Sequence, residues 1–196
     1  MEESNVLLLT GFGPYTTGQG LKLESNPTEK IVQNVSKGLP SVLGRVLPVV
    51  YSETKSKLRQ LFKQEEPKNW IGLGYAPHRT TLDLEVLAIN VEHAVQGDNH
   101  GDKPWNRPIL DGAPLAYETS MDIPHVTDVF LDAGLEIQAS FHSGTFLCNQ
   151  VFYLGCHHVK TSSLKTAGFI HVPPMENFRA FEKGLKDLIL SLENNE

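Results

Sequence analysis

The opening stretch VLLLTGFGPY, Val6–Tyr15, holds the first indication of the fold class. Its apolar half, Val6–Thr10, is followed by two glycines, a pattern typical of a short buried strand. A helix start follows at Asn26–Glu29, where asparagine can cap, proline takes the first helical position and glutamate stands three residues after the cap. We therefore predict a strand, a glycine-containing loop and then a helix that runs to Gly38.

The same alternation of strands and helices continues along the chain. Apolar patterning predicts further strands at 45–50, 70–74, 81–90, 135–141 and 168–172, and helices at 53–62, 126–133, 145–158 and 178–192. The long polar stretch at 96–114 is rich in turn residues and predicts an excursion over the surface. This alternation predicts an α/β protein whose mostly parallel sheet is covered on both faces, with ligands at the carboxyl ends of its strands.

Length and composition exclude several classes of protein. The 196 residues suit one domain, and 40% hydrophobic with 20% charged residues exclude a disordered polyelectrolyte. A net charge of −6 argues against a general nucleic-acid binder. No apolar run approaches the ~18 to 20 residues of a membrane span, and Met1–Asn5 is acidic where a signal peptide is basic. With two cysteines only, we expect a soluble intracellular domain without nucleic-acid or membrane partners.

Cys148 is the candidate nucleophile. It lies in SGTFLCN, Ser143–Asn149, where a preceding strand, a Ser-Gly turn and a following helix place the thiol in the first helical turn. There the helix dipole and the free backbone N–H groups favour a thiolate, which is the reactive species. The alternative is a buried structural cysteine, and that is the only interpretation for Cys156, well inside the same helix.

Two further residues could complete a catalytic group. His171 ends the strand GFIHV, where an imidazole is well placed to act as a base, although a core or edge histidine is the alternative. Glu85 lies in the apolar strand at 82–90, where a carboxylate needs a partner and could orient an imidazole. The alternative for Glu85 is outward alternation on a half-exposed strand.

Other signals for chemistry are weak. The glycines near residue 11 lack the spacing of a dinucleotide or phosphate-binding loop. Histidines such as His93 and His100 do not match zinc-ligand spacing, and no Gly-x-Ser-x-Gly elbow is present. We therefore expect neither a cofactor nor a metal.

Several segments in order resemble the pyroglutamyl peptidase I family, also called pyrrolidone-carboxylate peptidases. The resemblance is carried by Thr10–Tyr15 with Asn26-Pro27, by Glu85–Asn90, by Ser143–Asn149 continuing to Phe152-Tyr153, and by Phe169–Pro173. These segments look like the family's Thr-Gly-Phe-x-Pro-Phe opening, its Glu-x-x-Ala-x-Asn segment, the region around its nucleophile and its His-Val/Ile-Pro segment. The match runs from about Val6 to Leu190 with the expected order and spacing.

The resemblance implies a fold, an activity and a set of site residues. The family are cytosolic cysteine peptidases that remove N-terminal pyroglutamate (5-oxoproline) from peptides through an acyl-enzyme, and many are homo-oligomers. The implied fold is a three-layer α/β/α sandwich with a twisted, mostly parallel central sheet, as a single catalytic domain over residues 1–196. The implied triad is Cys148 as nucleophile, His171 as base and Glu85 as its orienting carboxylate. The implied lactam pocket is formed by Phe12, Tyr15, Asn26, Phe146 and Leu147.

Two departures from the family pattern bear on catalysis. The family's Gly-Gln-Ala-Gly-Gly-Arg is Gly74–Arg79 here, with Tyr75, Pro77 and His78 as the changed positions; Pro77 removes a backbone donor. Ten residues beyond the triad glutamate, the family arginine thought to help stabilise the oxyanion is Val95, and Arg79 is the nearest candidate to replace its charge. Two alternatives therefore stay open: a binding or regulatory homologue with weak turnover, or a cysteine hydrolase of another small acyl or lactam substrate.

Overall fold

The structure, a computed structural model, describes residues 7–16 and 22–194. Strand β1 (Leu7–Phe12) confirms the first predicted strand, although Val6 lies outside the described residues. Helix α1 (Pro27–Gly38) begins where its cap predicts, because the Asn26 side chain accepts a 3.1 Å hydrogen bond from the backbone N–H of Thr28.

The remaining helices and the longer strands follow the predicted alternation with shifts of up to three residues at their ends, whereas the short strands at 15–16, 22–23 and 116–118 were not predicted. In chain order they are β2 (Tyr15–Thr16), β3 (Lys22–Leu23), β4 (Val42–Leu47), α2 (Tyr51–Glu65), β5 (Asn69–Tyr75), β6 (Leu82–Glu85), β7 (Leu87–Ile89), β8 (Ala116–Glu118), α3 (Ile123–Asp132), β9 (Ile137–Ser140), α4 (Leu147–Thr161), β10 (Thr166–Val172) and α5 (Arg179–Asn194).

The single strand predicted at 81–90 is wrong in one respect, because it is divided at Val86. The N–H of Val86 bonds to Ser140 O, whereas its carbonyl accepts from Thr119 N, so the chain passes there from one sheet to another. Strand β6 stays in the central sheet, and β7 pairs with β8 outside it. No propensity within the stretch marks this division, because it depends on partners far along the chain.

The central sheet has six strands in the order β4-β1-β5-β10-β6-β9. Strands β4, β1, β5 and β10 are parallel, β6 is antiparallel to β10, and β9 is parallel to β6. The prediction of a mostly parallel sheet is confirmed. Register places His171 beside Gly74 on β5 and beside Asp83 on β6. Glu85, two residues beyond Asp83, is then a diagonal neighbour of His171 on the same face.

Helices cover both faces of this sheet and give the three layers. Helices α2 and α4 pack on one face, where Phe152 of α4 joins Trp70 and Phe169 of the sheet in one core. Helices α1, α3 and α5 pack on the other over a second core that includes Phe130 and Phe181. Among the helices that the structure describes, none has the length and apolar character needed to cross a bilayer.

Candidate active site

A cavity of about 420 Å³ opens at the carboxyl ends of β1, β5 and β10. Its walls come from the end of β1 and the turn after it, from the loop after β5, and from the start of α4. Seven of the predicted site residues line it: Phe12, Tyr15, Asn26, Phe146, Leu147, Cys148 and His171. The eighth, Glu85, is fully buried behind His171. The structure therefore brings together all eight residues that the sequence singles out.

Cys148 is the second residue of α4, as predicted, and is half-buried at the cavity, whereas Cys156 is buried. Within the described residues, no side chain caps this helix. The first backbone N–H groups of α4 therefore have no helical partner and are available near the thiol. Gly144 makes the turn into the helix, with a φ of 80° that a side chain rarely adopts.

The expectation that the helix N-terminus yields a thiolate is wrong for this structure. Burial raises the pKa of Cys148 to about 12, and the nearby charge of Glu85 raises it further. Arg79 and the backbone N–H of Cys148 lower this pKa, but they do not outweigh burial. The thiol is protonated at neutral pH and needs a base during attack.

His171 is placed to be that base. Its Nδ1 lies 2.6 Å from Glu85 Oε1. Because a carboxylate only accepts, Nδ1 carries the hydrogen and leaves Nε2 able to take a proton. A Cβ added at Gly74 would lie 2.9 Å from both Cys148 Sγ and His171 Cδ2, so these two atoms are about 6 Å or less apart over that glycine. Burial lowers the pKa of His171, although Glu85 opposes this, and the imidazole is therefore neutral at pH 7.

The alternative of a solvent-facing Glu85 is excluded, because its exposure is 0%. Both faces of β6 are covered, so alternation along the strand does not bring polar side chains to the surface.

Arg79 and Asp83 are site residues whose place the sequence did not indicate. Arg79 Nη1 lies 2.7 Å from Glu85 Oε1 and 2.5 Å from Asp83 Oδ2. Arg79 lines the cavity together with Cys148, and its guanidinium is engaged by these carboxylates; its role as a substitute for the missing oxyanion charge stays a prediction. One signal in the sequence could have indicated this contact. Asp83 and Glu85 are two residues apart on one strand, so they share a face, and Arg79 precedes them by only four and six residues.

The predicted pocket residues differ in what they can offer a ligand. Burial raises the pKa of Tyr15 to about 12, so its phenol is neutral. The Phe146 ring packs edge-on against Tyr51, with centroids 5.3 Å apart. The Asn26 amide already bonds to Gly13 O and to Thr28, so it shapes the wall and has fewer hydrogen bonds left for a ligand.

The family follows from comparison with known proteins. A family model described as pyroglutamyl peptidase matches residues 5–194. The chain belongs to the pyroglutamyl peptidase family. The pyrrolidone-carboxylate peptidase of Pyrococcus furiosus is 37% identical over 171 residues, which cover 85% of this chain and 80% of that relative. The pyrrolidone-carboxylate peptidase of Klebsiella pneumoniae is 34% identical over 171 residues, covering 85% of this chain and 77% of the relative.

Solved structures of such peptidases share this fold. A mutant pyrrolidone carboxyl peptidase from Pyrococcus furiosus has a TM-score of 0.88 at 30% identity, covering 97% of this chain and 99% of its own. The enzyme from Thermococcus litoralis has a TM-score of 0.86 at 29% identity, covering 98% and 96%. These similarities confirm the predicted α/β sandwich.

The two departures from the family pattern lie at the edge of the cavity. Pro77 and His78 are exposed at its rim, next to half-buried Tyr75. Val95 is 84% exposed and lines a neighbouring groove together with Tyr15 and Phe146. An alkyl side chain there supplies no charge to the site.

Metal chemistry has no support among the side chains. Across residues 7–16 and 22–194, no group of three or more His, Cys, Asp or Glu side chains could hold a metal ion.

Proposed function

We propose that this chain removes N-terminal pyroglutamate from small peptides, with Cys148, His171 and Glu85 as its triad in one catalytic domain over residues 1–196. The observation that supports this is the convergence of a helix-start thiol, a neutral imidazole and a buried carboxylate at one cavity, in a chain of the pyroglutamyl peptidase family. Its relatives carry the name of that activity.

The mechanism has two chemical steps. Cys148 Sγ attacks the carbonyl carbon of the pyroglutamyl residue as its proton passes to His171 Nε2. The tetrahedral intermediate collapses, the leaving amine takes that proton, and a thioester remains. Water, deprotonated by His171, then releases pyroglutamate and restores the thiol. Glu85 holds the imidazole in the required tautomer and stabilises its cation.

Charge that develops on the substrate oxygen needs donors near the thiol. The N–H groups in the first turn of α4, including that of Cys148, have no partner within the helix and are backbone donors close to the thiol. Donors of this kind act where the charge appears and therefore lower the barrier to attack.

The cavity wall suits a flat, uncharged lactam. Phe12, Tyr15, Phe146 and Leu147 offer rings and an alkyl side chain, and the Tyr15 phenol is neutral. Such a slot favours pyroglutamate over a residue with a charged amino terminus, because a buried ammonium without a partner is costly.

A panel of fluorogenic amides tests both the specificity and the triad. We expect the pyroglutamyl amide to be cleaved, and the prolyl and alanyl amides to be cleaved poorly, since their free amino termini carry charge. Cys148→Ala should abolish cleavage, His171→Ala should nearly abolish it, and Glu85→Gln should leave residual activity. Full kcat/KM in Glu85→Gln would remove Glu85 from the triad.

The same panel separates the two alternatives. Equal cleavage of all three amides would indicate a cysteine hydrolase with another acyl substrate. Binding of a pyroglutamyl peptide without cleavage of any amide would indicate a binding or regulatory protein. The observations that favour this last outcome are the proline at 77 and the uncharged side chain at 95.

We further propose that the protein is a cytoplasmic homo-oligomer, a dimer or a tetramer. Both cysteines are free thiols, which suits a reducing compartment. The family resemblance supports the self-association. Size-exclusion chromatography with light scattering tests the assembly, and a monomer across micromolar concentrations would contradict it.

A further inference from the structure

Arg79 contacts four residues around the site through one guanidinium. Besides Glu85 and Asp83 on β6, its Nη1 lies 3.4 Å from Ser140 Oγ at the end of β9. Its Nη2 donates a 2.9 Å hydrogen bond to the carbonyl of His142, in the loop that leads to Cys148. Only 17% of this side chain is exposed, so the contacts are shielded from water.

One oxygen of Glu85 serves two donors. Oε1 lies 2.6 Å from His171 Nδ1 and 2.7 Å from Arg79 Nη1. Oε2 is buried and has no hydrogen-bond partner among the described residues. The orientation of the carboxylate toward the imidazole therefore depends on these two donors, and Arg79 is the only one of them with a fixed charge.

Arg79 offsets one of the two carboxylate charges that lie beside His171. Glu85 and Asp83 face it from β6, Arg79 from the loop after β5, and Cys148 from α4. Burial is the main influence on both reacting groups: it lowers the pKa of His171 and raises that of Cys148. Arg79 lowers both pKa values, so its loss would leave two carboxylates beside the imidazole with no opposing charge.

We propose that Arg79 is a positioning residue of the triad: it holds the Glu85 carboxylate on His171 Nδ1 and offsets one of the two carboxylate charges of β6, which together with burial keeps His171 uncharged as a base. Its hydrogen bond to the His142 carbonyl also holds the loop before Cys148 against the same guanidinium. The kinetic part of this proposal rests on the proposed peptidase activity.

The decisive comparison is Arg79→Gln against Arg79→Lys, with the pKa of His171 measured by NMR titration of its imidazole. Arg79→Gln should raise this pKa by about one unit or more, because neither carboxylate charge is then offset. A raised pKa makes the base protonated at higher pH. The acid limb of kcat/KM should therefore move upward equally, and the loss relative to wild type should be larger at pH 6 than at pH 8. Arg79→Lys should keep the wild-type acid limb and recover part of the rate.

A double variant tests this charge effect separately from packing. Arg79→Gln with Asp83→Asn removes one charge of each sign and should return the acid limb toward its wild-type position. Arg45→Gln is the matched control, since it removes a guanidinium on the outer strand β4 that pairs at 3.6 Å with Glu65 at the end of α2. It should leave the pKa of His171 and the pH profile unchanged.

Failure of this proposal is distinguishable from failure of the proposed function. If wild type cleaves no pyroglutamyl amide, the function is wrong, but the NMR titration of His171 still tests the charge argument. If the pKa of His171 is the same in wild type and Arg79→Gln, the proposal is overturned. The proposal is also overturned if the acid limb of kcat/KM lies at the same pH in Arg79→Gln and in the double variant Arg79→Gln with Asp83→Asn. Should Arg79→Gln fail to fold, Arg79→Lys and the double variant carry the comparison.

Discussion

At the scale of single residues, the thiol of Cys148 shows how burial and a helix terminus compete. The helix start offers N–H groups, and one of them lowers the pKa of this thiol, yet burial raises it to about 12. Desolvation wins because the sulfur lies inside the cavity wall, where a thiolate loses most of its hydration. The reactive form must therefore be made during attack, with His171 as the acceptor.

Alkylation by iodoacetamide should reveal this state. Because the pKa of the Cys148 thiol lies well above the working range, its thiolate fraction and its alkylation rate should rise about tenfold per pH unit between pH 7 and 9, without a plateau. Buried Cys156 should react far more slowly. Peptide mapping after brief labelling measures both. A plateau near neutral pH would indicate a preformed thiolate, and equal labelling of the two cysteines would argue against Cys148 as nucleophile.

Val95 is the residue at which added charge should help. Val95 is exposed in a groove that shares Tyr15 and Phe146 with the cavity, and a donor aimed at an oxyanion contributes on the order of 10² to 10³ in rate where it has been measured. We expect Val95→Arg to raise kcat by about tenfold or more and to lower KM less, since the charge exists only in the transition state. Steady-state kinetics against Val95→Gln, which lacks the charge, checks this. An unchanged kcat would refute the oxyanion argument here.

At the scale of elements, strand β5 contributes to the site through the absence of a side chain at Gly74. Gly74 stands between the nucleophile and the base, where a Cβ would lie 2.9 Å from Cys148 Sγ, His171 Cδ2 and Phe169 Cε1. Each of these atoms belongs to a packed side chain, so the space above this glycine is what lets thiol and imidazole approach each other.

Gly74→Ala should therefore separate the catalytic pair. We expect kcat/KM to fall about 100-fold or more, with a loss of about 1–3 kcal/mol in the free energy of unfolding from overpacking. Gly38→Ala, at the C-terminus of α1, is the control. A Cβ at this position meets only the flexible end of the Lys186 side chain. Kinetics and urea denaturation of both variants provide the comparison. Wild-type kinetics in Gly74→Ala would show that this close approach has no role in the reaction.

The segment at 96–114 shows a different limit of element-level prediction. It carries no helix or long strand, as predicted for a surface excursion, yet it is tied inward. Arg107 Nε donates to buried Glu92 Oε2 at 2.6 Å, and Glu92 Oε1 accepts from Gln150 on α4 at 2.6 Å. The Arg107 guanidinium also lies over the Tyr51 ring that supports Phe146. This excursion is therefore part of the support of the cavity wall.

At the scale of the whole molecule, the two cores on opposite faces of the sheet differ in how they contact the site. The core under α4 reaches the site, since Phe152 lies 6.0 Å from the Phe169 ring and Phe169 lies 5.1 Å from His171, centroid to centroid. In the core under α3 and α5, Phe181 stacks on Phe130, and among the described residues no chain of ring contacts leads from this pair to His171. Damage to the two cores should thus affect activity differently.

Phe152→Ala and Phe181→Ala make a matched pair, since both side chains are 0% exposed. Each should lower the free energy of unfolding by about 3–5 kcal/mol through lost burial and a cavity. Only Phe152→Ala should also lower kcat at a temperature where both proteins are folded, because it loosens the packing behind His171. Thermal unfolding together with kinetics on a pyroglutamyl amide tests this. Equal kcat in the two variants would contradict this difference between the cores.

Local patterning was enough to predict the order of the elements, the start of α1 at Asn26 and the position of Cys148 in the first turn of α4. Those features depend on neighbours within a few residues, such as caps, apolar periods and turn glycines. The division of one predicted strand at Val86, the reversed direction of β6 and the buried state of Glu85 were not predictable in this way. They depend on strands 50 or more positions away along the chain, which pair with β6, and on the helices that cover both faces of the sheet.

The family and the identity of the candidate triad were therefore accessible from residue types and spacing alone, because short segments preserve them. The protonation state of Cys148 and the direction of the Arg79 guanidinium were not. Desolvation sums over every atom that surrounds the thiol, and those atoms come from α4, β5, β10 and the loop after β5. Charge balance at His171 likewise requires Glu85, Asp83 and Arg79 to meet in space. Only folding assembles these groups, so their effect on chemistry is a property of the tertiary structure.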